Sequence, residues 1–130
     1  MIGLLLAALL LAVEPAGIDP IVDSLELRRY YIDPGLDVAT DELEALVDRF
    51  EGVYFVGLGS ETDADAIADA LLNHIGVGTI VVLTPTEIGA VSTEYDDSEI
   101  DAALDETVAT GGSSYGEDFI EFASALTGTV

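Results

Sequence analysis

The run TIVVLT, Thr79 to Thr84, limits the fold more than any other stretch. A strand with one wet face alternates apolar and polar residues, whereas this one is apolar without a break, so both its faces have to be covered. Upstream, GVYFVGLG, Gly52 to Gly59, is β-branched and aromatic between glycines and reads as a second strand. Between the two, Ala64, Ile67, Ala68, Leu71 and Ile75 recur at helical spacing, and Gly76 suits the C-terminal cap. Strand, helix and strand in that order predict a parallel pair joined by a right-handed crossover. TPTE then sets Pro85 at the second position of a tight turn, so IGAVST should return as an antiparallel edge strand.

Helices supply the two covering layers. Ile18, Ile21, Val22 and Leu25 share one helical face. A second helix is predicted with Thr40 as its N-cap and Leu43, Leu46, Val47 and Phe50 as its stripe, after a turn at Pro34-Gly35. Ile100, Ala103, Leu104 and Val108 stripe a fourth helix, and Phe119, Phe122, Ala123 and Leu126 a fifth. The predicted order is α-α-β-α-β-β-α-α. It describes an α/β protein, a three-layer α/β/α sandwich around a small mixed sheet made of a parallel pair plus an antiparallel hairpin edge. Residues 1–17 are a hydrophobic signal- or anchor-like segment, and 18–130 form one domain, an ordinary size for a single core.

Charge narrows the function. Twenty-six acidic residues stand against three arginines and no lysine, a formal net charge of −23. Such a field repels phosphate backbones, so no nucleic-acid partner is expected. It also strains the compact state unless salt screens it, which predicts a halophilic protein or one working in a salty medium. There is no cysteine, and so neither disulfide nor thiolate metal site. The uncharged run IGLLLAALLLAV, residues 2–13, is shorter than the roughly 20 residues of a spanning helix and matches the core of a secretory signal. The expectation is an exported or membrane-tethered, extracytoplasmic protein that meets the membrane only through this segment.

The stretch from Ser92 to Glu106 holds seven carboxylates and no cation. Asp96, Asp97 and Asp101 could hold calcium or magnesium, hard ions that take oxygen ligands. The glycine of a calcium loop is missing, and the other reading is a helix start, with acids at the positive end of the dipole and Asp97 or Ser98 as cap. GLGSET follows a strand and precedes a helix, as a dinucleotide fingerprint does, but Thr62 replaces its third glycine and Asp63 and Asp65 oppose a phosphate. His74, the single histidine, sits where a helix end favours a cation. Arg28, Arg29, Tyr30 and Tyr31 are the one basic-aromatic cluster; arginines in so acidic a chain either bind internal carboxylates or contact a partner.

From Gly52 to Glu106 the chain resembles the TPM domain family, which includes thylakoid and bacterial envelope proteins, and small actinobacterial TPM-like envelope proteins above all. Tyr30 to Pro34, YYIDP, is similar to their VYVDP. The resemblance implies an α/β/α sandwich outside the cytoplasmic membrane. It further implies either a non-catalytic domain that binds or assembles another envelope protein, or, as the alternative, a calcium-binding domain or a divalent-cation-dependent phosphate-ester hydrolase. Where ligand-binding members carry Asp-Asn-Gly and Gly-Tyr-Gly, this chain has Gly76-Val77-Gly78 and Glu94-Tyr95-Asp96, so no catalytic residue is carried over.

Overall fold

The computed structural model describes residues 18–110 and 114–128. Helix α1 runs over residues 18–28. It is followed by β1 (Tyr30–Ile32), α2 (Thr40–Arg49), β2 (Val53–Gly57), α3 (Ala64–Ile75), β3 (Thr79–Leu83), β4 (Ile88–Ser92), α4 (Asp97–Thr110) and α5 (Tyr115–Thr127). The sheet order is β1-β2-β3-β4. The first three strands are parallel, and β4 pairs antiparallel with β3 through Thr79–Ser92 and Leu83–Ile88.

Alternation along the strands divides the core in two. Val53, Phe55, Val81 and Ala90 face α2, α4 and α5, where Phe119 meets Phe55 edge-on with ring centroids 5.1 Å apart. Val56, Ile80 and Val82 face α1 and α3, meeting Ile21, Leu25, Ala68 and Leu71. The continuous apolar run of β3 is thereby explained, since each of its five residues is buried. The α/β class and the covering of the sheet on both faces match the reading of the sequence.

Three details differ from it. β1 is a strand that the sequence hid, because three residues are too few to show a period before the Asp33-Pro34-Gly35 turn. Ala39, not Thr40, is the N-cap of α2, and no side chain caps it. On α4, Val108 is exposed and Thr107 is buried instead, its hydroxyl donating to the Ala103 carbonyl at 2.8 Å.

Adding β1 also changes the connections. β1 to β2 and β2 to β3 step the same way across the sheet, yet α2 covers one face and α3 the other. Two parallel crossovers with that geometry must have opposite hands. One of the pair is therefore left-handed, against the strong general preference.

α3 lies close on the hairpin because position 89 has no side chain. A Cβ on Gly89 would stand 2.7 Å from the Ala64 carbonyl carbon and from the Asp65 nitrogen. Gly57 is restricted in the same way by Ile32 and the Tyr115 ring, each 2.9 Å from where its Cβ would be.

Candidate functional site

The carboxyl ends of β1, β2 and β3 open towards one end of the sheet, the usual place for ligands in open α/β folds. Two concavities lie there. The first, about 610 Å³, is lined by the β3–β4 turn, the start of α3, and Thr107, Val108 and Asp118. The second, about 480 Å³, runs beside β1 between α1, the segment following β1 and the start of α2.

The first concavity is acidic, and its carboxylates are tied to backbone donors. Asp63 is the N-cap of α3 and accepts from the Ala66 N–H at 3.1 Å. Glu87, from the hairpin, accepts from the Ala64 N–H at 3.1 Å. The Asp65 carboxylate lies beside the backbone of Ala90, which favours its charged form. In the β3–β4 ladder Thr84 N–H donates to Glu87 O and Thr93 N–H to Gly78 O, so residues 87, 89, 91 and 93 face β3 and Ala90 faces outward. Burial chiefly, then the charges of Asp63, Asp69 and Glu87, push the Asp65 carboxyl above its ordinary pKa. This start of α3 is where GLGSET would have put a phosphate, and two carboxylates already take its first free N–H groups.

Asp33 knits the far end of the parallel strands. One of its oxygens accepts from the Tyr31 hydroxyl at 2.9 Å and the other from the Gly59 N–H at 2.8 Å. The Tyr115 hydroxyl donates to the Leu58 carbonyl at 2.8 Å. Desolvation first, and then the Asp33 charge, raises the pKa of both phenols, so they remain protonated donors. Little in the sequence points to these partners: Asp33 directly precedes the Pro34-Gly35 turn, and Tyr115 lies 57 residues from the carbonyl that it holds.

The second concavity gathers three of the four residues of the basic-aromatic cluster, Arg28, Tyr30 and Tyr31, with Asp33, Ser24 and Leu36. Arg28 is exposed, with its guanidinium carbon 5.8 Å from the Tyr30 ring centroid. Arg49 lies over the Phe50 ring at 4.8 Å. Among the described residues none of the three arginines forms an ion pair with a carboxylate, which corrects the expectation that internal acids would hold them. Arg29 does not line this groove. Its φ of +67° and its N–H bond to the Leu25 carbonyl, 2.8 Å, make it the left-handed cap that turns α1 directly into β1.

Of the acidic stretch, Asp96 is the cap of α4. Its carboxylate accepts from the Glu99 N–H at 3.0 Å and from the Ser98 hydroxyl at 2.8 Å, while Glu99 reaches back to the Asp96 N–H at 3.1 Å. This is a reciprocal capping box, and it holds the Asp96 carboxyl below its ordinary pKa, through Ser98 first. Asp97 and Asp101 are exposed on the same helix. Among the described residues no group of three or more Asp, Glu or His side chains is arranged to hold a metal ion. Tyr95 follows β4 at the amino end of β3, the opposite end of the sheet from GLGSET, about 13 Å away along the strand rise. His74 is exposed in the last turn of α3.

No family model matches the chain. No curated protein is similar to it in sequence. Its fold is similar to the solution NMR structure of the N-terminal domain of the cg2496 protein from Corynebacterium glutamicum, with a TM-score of 0.53 and 20% identity over 75% of this chain and 72% of that one. At that identity the likeness concerns the fold.

Proposed function

We propose that this chain is a TPM-like domain that holds another protein of the cell envelope and works by contact, not by turnover. One observation carries the reading. Arg28, one of three arginines in a chain of net charge −23, lies over Tyr30 in a groove and has no carboxylate partner among the described residues. A guanidinium left free beside so many acids is available to an incoming group. The α/β/α layering and the YYIDP segment agree with the TPM resemblance. The extracytoplasmic placement draws on the apolar run over residues 2–13, which lies outside the described residues; among those described, no helix is long and apolar enough to cross a membrane.

The test is a photoreactive residue at Leu36, which lines the groove, compared with one at Val77, exposed on the α3–β3 turn. With envelope material of the producing organism, Leu36 should yield a reproducible cross-linked band that disappears with Arg28→Glu. Equal labelling from both positions would overturn the reading.

The other reading is a cation-dependent phosphate-ester hydrolase or a calcium-binding domain, and it draws on the acidic concavity of about 610 Å³ at the strand ends. There Asp63 and Glu87 would meet a phosphate with like charge unless a cation intervened. Hydrolysis of a generic phosphate ester above blank, dependent on calcium or magnesium, would favour it.

A further inference from the structure

We infer that the free edge of β1 accepts an extended peptide as a fifth strand, with an Asp or Glu of that peptide paired to Arg28. This names the partner chemistry of the groove and rests on the contact reading above.

The hydrogen-bonding parity of β1 comes first. The Arg29 carbonyl accepts from Phe55 N–H, and Asp33 N–H donates to the Gly57 carbonyl, so residues 29, 31 and 33 face β2. The N–H and C=O of Tyr30 and Ile32 consequently point away from the sheet. Ser24 donates to the Tyr30 carbonyl at 2.7 Å and occupies that acceptor. Among the described residues, both groups of Ile32 and the Tyr30 N–H have no partner and remain as a short template for strand addition.

On β1 the open groups line the floor of the groove. The walls then set the sequence of the guest. On the α2 side they are apolar, Val38, Leu43 and the ring of Tyr30, with the Arg28 guanidinium over that ring; on the α1 side they present Ser24 and Tyr31. An entering strand places alternate side chains on opposite faces. One set therefore meets the apolar wall and the other the polar α1 side, while the Arg28 guanidinium over Tyr30, without a carboxylate partner among the described residues, calls for an acid at that end of the guest. A peptide alternating apolar and polar residues, with one acid where it passes Tyr30, fits the groove. A second copy of this chain fits less well, because each copy brings a charge of −23.

The experiment is selection of displayed random linear 12-residue peptides against the full chain in molar salt. Enriched peptides should alternate apolar and polar residues and carry an Asp or Glu. As synthetic peptides they should slow hydrogen exchange of the Tyr30 and Ile32 amides. N-methylation of alternate peptide amides should weaken binding by roughly tenfold, and Arg28→Gln by roughly fivefold for the acidic peptide but not for its Asn or Gln version. Peptides whose binding depends on Arg28 without protecting Ile32 would overturn strand addition and leave the contact reading standing. No enrichment, or protection confined to another surface, would overturn both. A concentration-dependent dimer protecting the same two amides would assign the edge to a second copy and so overturn the inference.

Discussion

Replacing Gly89 with alanine inserts one methyl group where α3 crosses β4. The new Cβ would lie 2.7 Å from the carbonyl carbon of Ala64, from the nitrogen of Asp65 and from an oxygen of its side chain, where ordinary contact starts at 3.4 Å. Two of these atoms are backbone and cannot rotate away, so the start of α3 has to lift by several tenths of an ångström. That end carries the bond from the Ala64 N–H to Glu87, which lengthens when it moves. Overpacking of this kind costs about 1–3 kcal/mol. For a domain of this size that is a fall in Tm of about 5–15 °C. Thermal unfolding followed by circular dichroism in molar salt reads it directly. Gly59→Ala is the control, because its Cβ would find its nearest atoms at 3.7 Å and at no strained φ. The packing argument predicts a Tm within about 2 °C of the parent for the control. If Gly89→Ala melts within the same margin, the close approach of α3 to β4 is wrong.

Arg29→Gly should stabilise the protein by about 0.5–1 kcal/mol, since glycine accepts φ of +67° without strain, and denaturant melts would show any loss that refutes this. Asp65→Asn keeps an acceptor for Ala90 and removes the repulsion from Asp63, Asp69 and Glu87, so Tm should rise at low salt and the gain should shrink in molar salt. The sign with pH follows from the raised pKa: the folded state holds the Asp65 proton more tightly, so this group opposes folding once pH exceeds the folded value and ceases to as pH falls below the unfolded one. Asp65→Asn should flatten that part of a stability–pH curve, and an unchanged curve would refute the assignment. The parent itself should gain Tm steadily from low to molar salt; a flat response would remove the halophilic expectation. Asp96→Ala should speed hydrogen exchange at the Glu99 amide, and calcium or magnesium should shift Tm equally in parent and in Asp96→Ala with Asp97→Ala. A shift seen in the parent alone would return those carboxylates to the role of metal ligands.

Much of the layering was legible because periodicity reports which side of an element is dry. The unbroken apolar run of β3 called for cover on both faces, and Ile18 to Leu25, Leu43 to Phe50 and Phe119 to Leu126 supplied it at helical spacing. The hairpin was legible from Pro85, and the end of α3 from Gly76, whose φ of +93° only glycine adopts freely. The candidate site was less legible. Arg28, Tyr30 and Tyr31 stood out by residue type, but nothing local showed that they flank a strand edge or that the arginine lacks a carboxylate.

What the sequence determined by itself was therefore the set of elements other than β1, their buried faces and the charge of the surface, because each depends on residues a few positions apart. Tertiary structure alone decided that β1 forms and pairs with β2, and that α2 and α3 cover opposite faces. Those outcomes depend on groups tens of residues apart, such as Asp33 with Gly59 and Tyr115 with Leu58, whose meeting is settled only when the two cores pack together.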